Sequence, residues 1–227
     1  WDSKMKVDSF DYLVGGLPKN PLPPYNYKAP FSPIDVIEEY TRPARMMINS
    51  KIVTKPALSE IEELDIIDAG KLEAFNTDGL RSLLITMDHI PNMKEKTLRY
   101  PGHATLMQSM IDKNLFDENN FKNTVQKLFN DWKLNDNESE FTVLDINIYG
   151  SEKNIHYHLY DEMDMLSKSS SMSRTTGYTA TATVNMLLKK IWSKKGVSPP
   201  EIVGTNEHCI NFLMEYLSSR NVKISQI

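Results

Sequence analysis

The chain has 227 residues, 40% of them apolar and 25% charged, an ordinary globular composition with enough apolar side chains for a sizeable core. A net charge of −4 gives no basic field for a phosphate backbone, so no nucleic-acid partner is expected. No run approaches the ~18 apolar residues of a bilayer span and no signal-peptide layout occurs near the start, so the reading is a soluble, cytoplasmic protein without a membrane partner. The chain opens at Trp1 without a methionine, which points to a processed chain or a piece of something longer.

In chain order, "SFDYLVGG" (9–16) reads as a strand ending at a double glycine. The next stretch, "PKNPLPPYNYKAPFSP" (18–33), holds six of the twelve prolines. Proline excludes regular ladders, so an ordered loop is expected, with its aromatics lying on a surface. Ser32, Pro33 and the acids that follow start a helix, expected to run on towards Met47 with a kink or break at Pro43. "KIVTKPA", "EELDIID" and "KLEAFNT" read as three short neighbouring antiparallel strands. "DGLRSLLITM" is helix-like, with Asp78 placed to cap it. "EKTLRY" is a strand, followed by a Pro-Gly turn and the helix "HATLMQSMIDKN". "NNFKNTVQKLFNDWKL" is strongly periodic and puts Phe121, Val125, Leu128, Phe129 and Trp132 on one face. "EFTVLDINIYG" and "NIHYHLYDE" form a hairpin through "SEKN". "TTGYTATATVNMLLKKIW" and "NEHCINFLMEYLSSR" are helices joined by the Pro-rich "GVSPPEIVG". Cys209, the single cysteine, lies in the second and reads as a buried thiol without a catalytic role. Strands come in clusters instead of alternating with helices. That predicts an α+β fold, a mixed, largely antiparallel sheet with helices packed mainly on one face.

Four constellations carry chemistry. His156 and His158, two apart on a strand, point to one face and could share an ion. No third ligand stands at a defined spacing, so they read as a pair on a solvent-facing hairpin edge and no metal is expected. Arg99 closes a strand before "YPGH", where a bare turn would need only the Pro-Gly. Its guanidinium suits a carboxylate held bidentately, and a structural pair with an internal Asp or Glu is an equal reading. "RTTGYTATAT" (174–183) leads into a helix. Its free N–H groups, with the hydroxyls of Thr175, Thr176 and Thr179, make either a seat for a carboxylate or phosphate or plain capping. "NTDG" (76–79) is a strand-to-helix turn that a site could also use. No G-x-G-x-x-G, P-loop, zinc-protease or nucleophile-elbow pattern occurs, so a complete nucleotide site is not encoded.

Five segments together resemble the saccharopine dehydrogenase family, in the portion that follows its N-terminal dinucleotide-binding domain. They are "VGGLP" (14–18), "YKAPFSP" (27–33), "GKLEAFNTDG" (70–79), "KTLRYPGH" (96–103) and "RTTGYTATATVNMLL" (174–188), in the family's order and across nearly the whole chain. The resemblance implies an NAD(P)-dependent oxidoreductase that forms or cleaves a secondary amine between amino acids, such as saccharopine in lysine metabolism. It implies that Thr97, Leu98 and Arg99 grip the amino-acid substrate. Phe31 stands where the family has a tryptophan over the substrate, and Ser32 where a serine touches the cofactor. Gly177 and Tyr178 join the substrate set on the same grounds. The chain departs from the family at 76–79, where Asn-Thr-Asp-Gly replaces an Asn-Arg-Asp-Ser turn whose arginine binds substrate. Thr77 cannot replace that charge; Arg81, one turn on, is the candidate substitute.

The resemblance therefore assigns residues 1–227 to one substrate-binding and dimerisation domain. Residues 1–33 connect it to a dinucleotide domain, and 174–227 supply C-terminal helices. NAD or NADP, a small amino-acid substrate and a homodimer partner are implied, with the fragment inactive alone. Two alternatives stay open: the same fold acting on another amine, as in lysine 6-dehydrogenase-like or carboxynorspermidine dehydrogenase-like enzymes, or a non-catalytic binding module.

Overall fold

A computed structural model of the chain describes residues 5–29, 31–135 and 138–227. The expectations at Trp1 and Pro30 lie outside the described residues. The sheet grows around β1 (Val7–Pro18), which pairs in parallel with β6 (Met93–Arg99) and antiparallel with β7 (Glu140–Gly150). Beyond β7 follow β8 (Asn154–Glu162) and the three-residue β9 (Ile224–Gln226), both antiparallel. On its other side β6 forks. Its first residue, Met93, pairs with Met47 of β2 (Ala44–Ile48), which carries β3 (Lys51–Lys55) at the edge. Its last four residues pair with β5 (Gly70–Asn76), which carries β4 (Glu62–Ile66). One parallel pairing among antiparallel ones makes the sheet mixed and largely antiparallel, and with the helices the fold is α+β as expected.

Strand alternation sorts the side chains by face. Cross-strand neighbours put Phe10, Tyr12, Leu144, Ile146, Met93, Glu95, Thr97 and Arg99 on one face. There α5 (Ser171–Leu188) and α7 (Glu207–Ser218) cover Leu144 and Leu159, through Tyr178, Leu213 and Leu217. The four-residue α2 (Leu83–Thr86) covers Phe10 and Met93. α1 (Pro33–Thr41) reaches the same face at Arg99 through Glu39 and Tyr40. The opposite face carries Leu13, Leu17 and Val143, which share the main core with Leu72 and Ala74 of β5. α3 (His103–Asp112) and α4 (Glu118–Asp131) close that core with Met107 and Leu128, and the Pro-rich loop adds Tyr25, Tyr27 and Ala29. Its aromatics do lie on a surface: both tyrosine rings meet Trp132 edge-on. The Pro-rich segment before α7 holds a four-residue helix, α6 (Pro200–Val203).

Several expectations are corrected. The helix after Pro33 ends at Thr41, and Ala44–Ile48 is strand β2. Pro43 explains the boundary, because its ring drives the preceding residue out of the α region; Arg42 is extended at φ −78 and ψ 126. The helix expected over 78–87 shrinks to α2 because Asp78 does not cap it. Its carboxylate is buried and accepts from the Arg45 backbone N–H, Nε and Nη2. β3 pairs with β2 and not with β4, so the three short strands are not successive neighbours. On α4, Phe129 is half exposed and Phe121 partly so, and Leu128, with Trp132 just past the helix end, carries the buried stripe. β8 is not a solvent-facing edge, since β9 covers it; His158 is buried and shares the Asp145 carboxylate with His156. Cys209 is buried, as read from its helix.

Candidate functional site

The fork on β6 creates the site. Residues 77–82 leave β5 at Asn76 and cross the gap before β2 takes over at Met93, so strand residues 94 and 95 lack a neighbour on that side. The turn folds over Glu95. Oε2 of Glu95 accepts from Thr77 Oγ1 at 2.6 Å and from the Gly79 N–H at 3.0 Å. Thr77 Oγ1 lies 2.8 Å from Thr97 Oγ1. Thr77 has one hydroxyl proton and gives it to Glu95, so Thr97 donates to Thr77 and the chain runs Thr97 to Thr77 to Glu95. Gly79 is required by this closeness: a Cβ there would stand 2.5 Å from Glu95 Cδ. Tyr12 Oη donates to the Gly79 carbonyl at 2.8 Å and fixes the turn from β1.

These groups line a cavity of about 150 Å³, closed on the far side by Glu38, Glu39 and Arg42 of the α1 end. Burial dominates its electrostatics. It pushes the Glu95 carboxyl up to about 7, against the lowering effect of Thr77 and Gly79, and it raises Glu39 as well. Asp78 is held below the usual carboxylate range by Arg45, which outweighs its burial. Arg42 is spent on Glu38, a pair one helical turn apart. Arg81 lines the same cavity with its backbone in the left-handed region at φ 49, and its guanidinium has no hydrogen-bond or ion-pair partner among the described residues.

Behind Glu39 lies the Arg99 network. Arg99 is 2% exposed. Its Nε donates to Tyr40 Oη at 2.8 Å, Nη1 to the Leu98 carbonyl at 2.8 Å and Nη2 to Glu39 at 3.4 Å, and its plane lies 4.5 Å from the Tyr27 ring centroid. Tyr40 Oη stands 2.9 Å from His103 Nε2, and His103 Nδ1 2.8 Å from the Tyr25 carbonyl. A carbonyl only accepts, so Nδ1 carries the proton and Nε2 accepts from Tyr40. Burial and the Arg99 charge lower the His103 pKa to about 3, keeping the ring neutral. The polar residues of the Pro-Gly hinge therefore tie β6 and α3 to α1 and to the Pro-rich loop. Arg99 thus has the internal carboxylate of Glu39 within reach, at 3.4 Å.

The structure brings Thr77, Arg81 and Thr97 together around one cavity, and sets Arg99 one residue behind it. Leu98 points the other way, into the main core, and Phe31 packs against that core. Ser32 is exposed at the start of α1, and its hydroxyl makes no cap bond and has no hydrogen-bond partner among the described residues. Gly177 and Tyr178 lie inside α5, with Tyr178 among Leu144, Leu159 and Leu217, and do not line the cavity. The anion seat expected at 174–183 is corrected. α5 begins at Ser171, capped by Ser170, so the later amides are interior; Thr175 and Thr179 hydroxyls bond back to Ser171 and Thr175 carbonyls, and Arg174 is paired with Asp161. Glu39, Tyr12 and Glu95 were missed. Glu95 was legible in "EKTLRY", where period two puts it on the face of Thr97 and Arg99. Among the described residues no group of three or more His, Cys, Asp or Glu could hold a metal. No helix among them is long and apolar enough to cross a membrane. The residues present do not fit a dinucleotide cradle, since the sequence carries no G-x-G-x-x-G phosphate turn.

Two comparisons bear on this architecture. A family model described as the saccharopine dehydrogenase C-terminal domain matches residues 2–222. Among solved structures, apo histidine-tagged saccharopine dehydrogenase (L-Glu forming) from Saccharomyces cerevisiae is similar with a TM-score of 0.73 and 15% identity, over 100% of this chain and 68% of that one. At that identity the structural likeness speaks for the fold.

Proposed function

The chain belongs to the saccharopine dehydrogenase C-terminal domain family, an oxidoreductase lineage, and from that premise we propose that it is the substrate-binding and dimerisation part of an NAD(P)-dependent enzyme. The reaction would make or break the secondary amine, through its imine, between two amino acids, as in lysine metabolism in the cytoplasm. The nicotinamide would exchange the hydride; its phosphates would be held by a dinucleotide domain that residues 1–227 do not encode, with Ser32 touching it at most. No step through the cofactor follows from the residues present.

The observation that carries the reading is the cavity at the β6 fork. Thr77, Arg81 and Thr97, three residues set by the family resemblance or by its one departure, converge there on a polar, largely buried space of amino-acid size. An unpaired guanidinium at its rim suits a substrate carboxylate, and buried hydroxyls beside a carboxylate suit an amine. The protein's own contribution is to orient the amine and to exclude water from it. Thr77 in place of the family's arginine favours a second reading, a substrate with one carboxylate fewer than saccharopine. Turnover by the full-length protein, followed by nicotinamide absorbance with saccharopine, lysine and a carboxylated polyamine in parallel, tests both. Oxidation of none of them by either cofactor would overturn the proposal.

A further inference from the structure

The face of the sheet opposite the cavity holds a second polar cluster, which the proposed function does not use. Val143 of β7 and Tyr160 of β8 belong to the main core on that face. The next residues along it are Asp145 and His158, which are cross-strand partners, and then Asn147 and His156. Asp145 and His158 are both buried. Oδ1 of Asp145 meets His156 Nε2 at 2.7 Å and His158 Nδ1 at 2.8 Å. An ionised carboxylate only accepts, so both of those ring nitrogens carry protons. That sets the tautomer of His158: while the ring is neutral, its other nitrogen, Nε2, is bare. Nε2 is buried without a hydrogen-bond partner among the described residues, and it stands 3.4 Å from Oδ2 of Asp68.

Asp68 lies at the turn of the β4–β5 hairpin, which arches over the core face. Glu73–Asn76 of β5 ladder with β6, whereas Gly70, Lys71 and Leu72 pair with β4 alone. Ile66, Ala69 and Leu72 pack into the main core, and Asp68 is the tip's ionic contact with β8. With His158 neutral, that contact sets a lone pair against a carboxylate, which is repulsive and leaves Nε2 unsatisfied. With His158 protonated, the same two atoms make a charge-assisted pair while the other ring N–H stays on Asp145. We infer that His158 and Asp68 form a proton-operated latch, which closes the β4–β5 hairpin onto β8 when the imidazole takes up a proton and loosens it when the proton leaves. The Asp68 side chain is largely exposed, so the open state returns it to water. The titratable groups around His158 are Asp145 on β7, His156 on its own strand, Asp68 on the hairpin and Tyr160, which Asp68 also acts on. Behind His156 stands Asp11 of β1, itself beside Lys94, and β9 sets Ser225 opposite His158. β5 ends at Asn76, next to the roof residue Thr77, so the latch acts on the strand from which the cavity's roof starts; it does not depend on what that cavity binds.

Imidazole changes charge between about pH 5 and 8, so the test is hydrogen exchange followed by mass spectrometry on the full-length protein at about pH 5.5 and about pH 8. Rates are corrected for the intrinsic pH dependence, and the amides of β1 and β7 serve as the internal reference. Relative to them, amides 66–72 should be about 5-fold better protected at the lower pH. Asp68→Asn removes the charge and tolerates the left-handed backbone of this position, φ 59. It should abolish the gain in protection and lower the melting temperature by about 2–4 °C at the lower pH, with no loss at the higher. In a His158→Gln background, which lacks the titrating ring, Asp68→Asn should shift the melting temperature equally at both pH values. Equal relative protection at the two pH values in the wild type would overturn the inference. So would an acid-dependent gain that survives Asp68→Asn, or a pH-dependent Asp68→Asn effect that persists without His158.

Discussion

Glu95 and His103 are both buried titratable groups, and burial acts on them with opposite sign. The Glu95 carboxyl is raised from 4.5 to about 7, so between those values the folded state holds a proton that the unfolded state has lost. Stability therefore falls as pH rises from 4.5 to 7 and stays reduced above. Glu95→Gln keeps the shape and removes the charge; it is expected to stabilise the protein by on the order of 2–4 kcal/mol at pH 8 and by little below pH 4.5, read by urea unfolding at both. His103 is lowered to about 3, so below 6.5 the unfolded state binds a proton that the folded state refuses. Stability from this group is complete above 6.5 and is lost as pH falls towards 3, with a slope approaching 1.4 kcal/mol per pH unit that His103→Gln should flatten. For Arg99, removing the guanidinium leaves Glu39 and Tyr40 buried with lost partners. Arg99→Leu is expected to cost about 3–5 kcal/mol, measured as a fall in the urea midpoint, with Arg99→Lys recovering part because an ammonium lacks the planar fork.

At the scale of elements, α5 is anchored to the sheet by polar groups. Glu140 of β7 accepts from the Ser171 N–H and hydroxyl at the helix start, and Arg174 one turn on meets Asp161 of β8 through Nε at 3.0 Å and Nη2 at 3.2 Å. A fork-on-carboxylate pair fixes both rotation and rise of a helix, which apolar contacts from Tyr178 alone would leave loose. Asp161→Ala strands the Arg174 charge in the interior and should cost about 3–5 kcal/mol. Replacing both partners, Asp161→Leu with Arg174→Met, should recover most of it; a double variant no better than the single one would mean that α5 is not held by this pair. The fork of β6 is the other decisive element. β5 and β2 share one flank of a seven-residue strand, and the turn between them becomes the roof of a cavity.

For the whole molecule, two of the sheet's edge strands are protected against strand addition. β3 carries lysines at both ends and β9 is three residues long. Apolar surface remains elsewhere, as at Val184, Leu187 and Leu188 on α5, each more than half exposed. A homodimer that buries helix or sheet face is accordingly expected. Light scattering should give twice the chain mass across a wide concentration range, and a concentration-independent monomer would contradict it.

Local chemistry determined much of this from the sequence alone. Strand alternation and helix periodicity placed β1, β7, β8, α3, α4 and α7, because each pattern is written in a run of neighbours. Five ordered segments carried the family, and "NTDG" marked where it departs. What the sequence could not settle was decided by partners distant along the chain. Asp78 looks like a cap until Arg45, 33 residues away, takes its carboxylate. Ala44–Ile48 looks helical until β3 and β6 offer ladders. Arg99 and Arg81 look equally able to hold a carboxylate. Only the packed structure engages one with Tyr40 and Glu39 and leaves the other lining a cavity without an ion pair among the described residues, because burial and pairing are properties of position in space, which no local pattern encodes.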